Sequence, residues 1–309
     1  MHLRTLHETI EIAAPAKVNL FLEVLGRRAD GYHELETLMV PIDRYDTLRF
    51  TPQAGLQLTL ACDTAAIDGR VETSTPSLPS AACEQLPTGD ENLVLKAVRR
   101  LRDRAGIEMG GHLHLTKRIP LAAGLAGGSS DAAAALAAAN QAWRLDWPHE
   151  RLAEIAAEIG SDVPFFLARG AAVCRGRGER IERCGTLGTL HFVVVKPPAG
   201  LSTAAVFKAC QPASQPHGVE QLLVALRRGR LAEAGALFHN RLQSAARSIS
   251  PWIDRLAMEF ARLPVLGHQM SGSGTSYFGL CASATLARRV AARLRSQSLG
   301  LVWSGMSTM

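Results

Sequence analysis

A chain of 309 residues, 47% hydrophobic and 20% charged, is long enough to bury a sizeable core, suggests two domains, and has the make-up of an ordinary soluble globular protein. Its 34 basic residues exceed its 28 acids by a formal +6, a modest excess that suits an anionic small-molecule substrate and is largely explained by solvated faces such as Arg99–Arg104. No apolar run approaches the ~18 residues of a membrane span, and Met1–Glu8 has no apolar signal core, so a cytoplasmic protein without a membrane partner is expected.

Ile10 to Val24 reads as a strand interrupted at Ala14–Pro15–Ala16, and Thr37 to Ile42 and Leu56 to Leu60 continue a strand-rich start. Residues 63–90, rich in Ser, Thr, Pro and Ala, read as a long surface loop, a tolerated insertion. Asn92 to Arg104 has helical spacing, with Leu93, Val94, Ala97, Val98 and Leu101 on one face, and His112 to Thr116 alternates as a strand. The run Ala132 to Ala139 predicts a strong helix. Glu150 to Ile159 predicts another, ended by Gly160; Val163 to Cys174 is mixed and β-leaning, and Arg175 to Arg180 reads as a tight turn.

A second unit begins after about Thr186. It opens on a buried strand, His191 to Val195, followed by Lys196–Gly200, and helices are expected at Thr203–Ala209, Val219–Leu226, Leu231–Phe238 and Pro251–Leu263. A strand near Val265–Met270, a turn at Ser271–Thr275, a strand at Tyr277–Cys281 and a helix at Ala284–Arg295 follow. Strands and helices mix without regular βαβ alternation, which predicts an α+β fold, with domains at 1–185 and 186–309. Cys62, Cys83, Cys174, Cys184, Cys210 and Cys281 form no Cys-x-x-Cys pair, so neither a zinc site nor a disulfide framework is implied.

The most informative stretch is Pro120, Leu121, Ala122, Ala123, Gly124, Leu125, Ala126, Gly127, Gly128, Ser129 and Ser130, which runs directly into the alanine helix. A helix N-terminus leaves backbone N–H groups unpaired and carries partial positive charge, and glycines ahead of it let a phosphate approach the main chain. The segment therefore reads as a polyphosphate cradle, against the plainer alternative of a turn capped by Ser129 or Ser130. It is neither a Walker loop nor a Gly-x-Gly-x-x-Gly turn after a strand. The chain has only five lysines, at 17, 96, 117, 196 and 208, so a lysine within a motif stands out for its compact ammonium.

Four segments in this order resemble the GHMP kinase superfamily, which includes galactokinase, homoserine kinase and mevalonate kinase. They are Ala14–Pro15–Ala16–Lys17–Val18–Asn19–Leu20, Ala29–Asp30–Gly31–Tyr32–His33–Glu34–Leu35, the glycine loop, and Met270–Ser271–Gly272–Ser273–Gly274. The first two narrow the resemblance to the branch whose substrate is a cytidine diphosphate-linked polyol of the non-mevalonate isoprenoid route. The likeness runs from about Ile12 to Leu280, and its motifs are specific in combination.

The resemblance implies a two-domain α+β architecture, with an N-terminal domain like ribosomal protein S5 domain 2 and a ferredoxin-like C-terminal domain. It also implies ATP as cosubstrate and Mg2+, with Ser129 or Ser130 near the ion. Asp162 would be the base that accepts or orients the substrate hydroxyl's proton, facing Lys17; taken alone, Asp162 before Val163–Pro164 reads as a turn residue. Tyr32 offers a face for the cytosine, His33 can bond the pyrimidine edge, Phe207 matches a second aromatic of the base sandwich, and Asn19 lies near the transferred group. By residue type alone Phe207 is equally a helix-core residue, and His33 a structural hydrogen-bonder. Gly272, Ser273, Gly274 and Thr275 would form a turn that supports the site beside the phosphate loop.

One departure stands out: Asn240–Arg241–Leu242–Gln243 occupies the place where the family commonly has Asn-Asp-Leu-Glu, which reverses the local charge. Two alternatives are weighed. Another kinase of the superfamily, acting on homoserine or mevalonate, would have no base to sandwich. An RNA-binding module without catalysis is opposed by Lys17, the glycine loop and Asp162, so no nucleic-acid partner is expected; the oligomeric state is not legible.

Overall fold

The computed structural model describes residues 1–64, 89 and 91–308. The first half of the chain forms β1 (His2–Leu6), β2 (Thr9–Arg27), β3 (His33–Ala54), β4 (Leu58–Thr64), α1 (Leu93–Ala105), β5 (Met109–Lys117), α2 (Gly127–Ala142) and α3 (His149–Ile159). It continues through α4 (Val163–Ala168), β6 (Ala172–Gly176), β7 (Arg180–Arg183), β8 (His191–Lys196), α5 (Thr203–Ala209), α6 (Glu220–Arg227) and α7 (Leu231–Ala236). The last elements are β9 (His239–Asn240), α8 (Leu242–Ile249), α9 (Pro251–Ala261), β10 (Gly267–Met270), β11 (Tyr277–Cys281), α10 (Ala284–Arg295) and β12 (Leu301–Met306).

These elements gather into two compact units. One comprises Met1–Ala16, Arg44–Leu121 and Gly127–Leu167; the other comprises Lys17–Asp43, Ala122–Ala126 and Ala168–Met309. The units do not divide at residue 186. β2 and β3, at 19 and 22 residues, are far longer than an ordinary strand of 3–10, and each gives one part to each unit.

In the first unit β1 runs antiparallel to the start of β2, and Thr47–Ala54 of β3 runs antiparallel to β5, which pairs in parallel with β4. Helix α1 starts where Asn92 Oδ1 accepts the Val94 N–H at 2.9 Å and stops at Gly106, whose φ of 63° suits glycine. Its buried face is Val94, Leu95, Ala97, Val98 and Leu101, close to the one its spacing predicts. Helix α2 is buried nearly all round, through Ala132–Ala135, Leu136, Ala138 and Ala139, and packs against α1 and α3. Alanine thus serves packing as well as propensity, because only small side chains fit a helix enclosed on every side.

The second unit holds a four-stranded sheet in the order β10–β11–β8–β12, antiparallel throughout. Ile253, Leu256 and Phe260 of α9 and Val290, Ala291 and Leu294 of α10 close one core with Val193, Val195 and Tyr277. In the same unit Leu35–Met39 of β3 pairs antiparallel with β6, β6 with β7, and Phe21–Leu22 of β2 pairs in parallel with β9. The α+β class stands.

Several local expectations need correction. β2 passes through Ala14–Pro15–Ala16 without interruption, with Ala14 and Ala16 fully buried. β3 extends well beyond Thr37–Ile42. Polar residues hide its length in the sequence, but Asp43 Oδ1 accepts the Met306 N–H at 2.7 Å and Asp46 is buried in an ion pair. Val163–Cys174 is not β-leaning throughout, since Val163–Ala168 is helical and only Ala172–Gly176 forms a strand. Pro164 sits in the helix's first turn, where a missing N–H costs nothing. β1, α8 and β12 went unread. Most of the 63–90 segment, with Cys83, lies outside the described residues. The other five cysteines are free, and no helix among the described residues is long and apolar enough to cross a membrane.

Candidate active site

The phosphate-loop candidate adopts an unusual backbone. Ala122, Gly124 and Ala126 have φ of 47°, 73° and 55°, so positive φ recurs at alternate residues. Each alanine is held there at a strain of about 1–2 kcal/mol, and left-handed residues alternating with right-handed ones are the backbone arrangement from which anion-binding nests are made. Residues 122–126 belong to the second unit. There the Gly124 carbonyl accepts Lys17 Nζ at 3.0 Å and Ser271 Oγ at 3.0 Å, and Lys17 N donates to Leu125 O at 3.1 Å. A Cβ on Gly124 would fall 2.2 Å from Ser271 O, so this position admits only glycine.

Lys17 is 3% exposed, and its ammonium also donates to Asn19 Oδ1 at 2.6 Å. Asn19 is oriented in turn: its Nδ2 donates to Thr37 Oγ1 at 2.8 Å, and its carbonyl accepts Gln269 Nε2 at 2.7 Å. The turn Ser271–Thr275 packs on this group. A Cβ on Gly272, whose φ is 55°, would lie 3.0 Å from Lys17 Nζ and 3.3 Å from Asn19 Oδ1. Ser273 Oγ and Thr203 Oγ1 share a hydrogen bond of 2.9 Å, Gly274 N donates to Ser271 O at 3.0 Å, and Thr275 Oγ1 donates to Ala199 O at 2.7 Å. Lys17, Asn19, Gly124 and the 272–275 turn, spread over some 260 residues of sequence, therefore form one hydrogen-bonded group.

Tyr32, His33 and Phe207 also belong to the second unit. The tight turn at Gly31, with φ of 85°, leaves Tyr32 52% exposed, with the Arg177 guanidinium 4.8 Å above its ring. The His33 and Phe207 rings lie 5.2 Å apart at 33°. Burial, helped by the Arg27 charge, lowers the His33 pKa, which keeps the imidazole neutral at pH 7 and able to both donate and accept. Phe207 packs on the hydrophobic core, as its residue type alone suggested, and its ring also lies against His33.

In the first unit Gly127 opens α2, with Gly128 exposed, Ser129 half-buried and Ser130 fully buried. Ser130 Oγ and Asp131 Oδ1 are buried and make no hydrogen bond among the described residues. These hard oxygens are of the kind Mg2+ takes. Beneath them lies a cluster that the sequence reading missed: Lys117 Nζ donates to Asp131 Oδ2 at 2.6 Å and, in a very short bond, to Asp46 Oδ2. Burial raises the Asp131 pKa, against the pull of Lys117, and the carboxylate of Asp46 adds to the rise. The scarcity of lysine was the signal that could have flagged Lys117; Asp46 carried none. Pro120 and Leu121 complete the loop on this side, and Asp162 is half-buried at the turn between α3 and α4. Lys17 and Asp162 fall in different units, and their pairing rests on the family resemblance.

The GHMP kinases N terminal domain matches residues 92–170 and the GHMP kinases C terminal domain residues 222–298. A 4-diphosphocytidyl-2-C-methyl-D-erythritol kinase from Pelotomaculum thermopropionicum is 41% identical over 288 residues, covering 93% of this chain and 94% of its own. A crystal structure of 4-(cytidine 5'-diphospho)-2C-methyl-D-erythritol kinase superposes with a TM-score of 0.77 at 34% identity, covering 97% of this chain and 99% of that one. A homoserine kinase from Cytophaga hutchinsonii has a TM-score of 0.74 over 100% of this chain and 97% of its own, but at 20% identity it shares the fold alone. The chain belongs to the GHMP kinases, and within them to the 4-diphosphocytidyl-2-C-methyl-D-erythritol kinase family.

Proposed function

We propose that this protein transfers the γ-phosphoryl group of ATP to the 2-hydroxyl of 4-diphosphocytidyl-2-C-methyl-D-erythritol, in the cytoplasm, as a step of the non-mevalonate isoprenoid route. The observation that carries this reading is the pairing of two features within one unit. A buried Lys17–Asn19 group is braced by the glycine loop and the 272–275 turn, and an aromatic set of Tyr32, His33 and Phe207 suits a flat base.

The alternating φ pattern of residues 122–126 suits binding of the polyphosphate through main-chain N–H groups, which leaves catalysis to positioning and charge neutralisation. Lys17, fixed by Asn19 and the Gly124 carbonyl, presents its ammonium to charge building on the transferred group. Asp162 accepts the proton of the attacking hydroxyl or orients it. Tyr32 and Phe207 hold the cytosine, and neutral His33 bonds its edge. Ser129 or Ser130 would hold Mg2+ beside the triphosphate, and the ion when bound would supply neutralisation of phosphate charge.

The test is ADP release and 31P detection of product with ATP and the cytidyl substrate, with homoserine and mevalonate run in parallel. Transfer to the cytidyl compound alone is expected. Transfer to homoserine or mevalonate instead would overturn the base-recognition reading while leaving the kinase intact.

A further inference from the structure

The tetrapeptide Asn240–Arg241–Leu242–Gln243, whose charge differs from the family pattern, sits against the fully buried carboxylate of Glu23 on β2. Arg241 grips Glu23 with both arms of its guanidinium, Nε to Oε1 at 2.7 Å and Nη2 to Oε2 at 2.9 Å, while Arg241 N donates to Leu22 O at 2.8 Å. The carboxylate is further held by the N–H groups of Val24 and His217, each at 3.0 Å, and is approached by the rings of His217 at 3.3 Å and His239 at 3.2 Å.

The residues on either side of Arg241 point the other way. Asn240 Nδ2 donates to the carbonyls of Met270 at 2.8 Å and Gly272 at 2.9 Å, and Gln243 Oε1 accepts the Met270 N–H at 2.8 Å. The tetrapeptide is thus tied to β2 by Arg241 and by the pairing of Asn240 with Leu22, and it grips the Met270–Gly272 turn through Asn240 and Gln243. That turn is the one whose Gly272 backs onto Lys17 and Asn19 so closely that a Cβ would lie 3.0 Å from Lys17 Nζ and 3.3 Å from Asn19 Oδ1.

We propose that Arg241, through its forked pair with Glu23, is a positioning residue for phosphoryl transfer: it fixes the register in which Asn240 and Gln243 press the Gly272 turn against Lys17. Glu23, His217 and His239 could by spacing hold a metal, since their donor atoms lie within 4.8 Å of one another. Arg241 occupies both carboxylate oxygens, however, and its charge opposes a cation there. The inference rests on Lys17 acting at the transfer site.

The test compares wild type with Arg241→Met, which keeps the apolar stem, and Arg241→Lys, which keeps the charge but not the fork. Steady-state kinetics are run against ATP and the cytidyl substrate, with the active fraction counted by nucleotide binding. Arg241→Met is expected to lower kcat at least tenfold per active site while both KM values move less than threefold, with Arg241→Lys intermediate. An unchanged kcat per active site in Arg241→Met overturns the proposal, as does a loss wholly explained by unfolded protein. Should Arg241→Met fail to fold, wild-type kcat in Arg241→Lys overturns it. Stoichiometric Zn2+ binding by the wild-type protein, lost in His239→Ala, would replace the ion pair with a metal centre. Lys17→Ala is measured alongside: full activity there refutes the reading of the transfer site itself, separately from the role of Arg241.

Discussion

Replacing Glu23 by Gln should flatten the acid limb of the stability profile. Burial pushes the Glu23 pKa up, but the Arg241 guanidinium, the N–H groups of His217 and Val24, and the His239 ring outweigh it and bring it from 4.5 down to about 2. Between those values the unfolded chain binds the proton that the native carboxylate refuses, so stability rises with pH across that window. The contribution is complete above about pH 4.5 and lost as pH falls toward 2. The gap corresponds to about 3 kcal/mol in full, of which roughly 1–2 kcal/mol is gone by pH 3.5. At neutral pH Glu23→Gln should cost about 3–5 kcal/mol, because it leaves Arg241 without its counter-charge. Urea denaturation of both proteins at pH 7, 5 and 3.5, followed by tryptophan fluorescence, should therefore show their stability difference narrowing by roughly 1–2 kcal/mol from neutral to acid. A difference that stays constant across the series would mean that Glu23 is not an ionised, Arg-paired carboxylate in the native state.

Asp162→Ala is expected to reduce turnover to near background while nucleotide binding, measured by calorimetry, persists; full activity would remove Asp162 from the mechanism. Tyr32→Ala should raise KM for the cytidyl substrate by roughly 5- to 150-fold, the equivalent of about 1–3 kcal/mol of base stacking, and an unchanged KM would leave Tyr32 a packing residue. Gly124→Ala drives a methyl to within 2.2 Å of Ser271 O at a φ of 73°. It should cost at least about 2 kcal/mol in stability and weaken ATP binding, and wild-type values for both would show that the loop does not pack on the 271 turn.

The local elements most legible in the sequence were those whose pattern and caps agree. α1 combines an Asn cap, an apolar face and a closing Gly106, and α10 begins at Ser283, whose side chain accepts the Leu286 N–H. β3 was under-read because its interior polar residues are satisfied by partners distant in sequence, Met306 for Asp43 and Lys117 for Asp46. α4 was misjudged because a short apolar run has no period with which to separate helix from strand. Phe207 had two readings because its residue type fits both, and the fold places it on the core with its ring against His33.

The chain by itself determined a glycine loop feeding a helix N-terminus, suited to a polyphosphate, and a rare lysine in a motif, while the kinase chemistry and the base-binding aromatics came with the resemblance of its four motifs to the GHMP kinases. Those features are local, set by backbone freedom and side-chain type. The tertiary structure alone decided which distant residues meet. It brought Gly272 against Lys17, buried Lys117 between two aspartates, and answered the reversed charge at Arg241 with Glu23 from a strand more than two hundred positions earlier. A buried charge must find a partner wherever the fold places one, and nothing in the local sequence says where that will be.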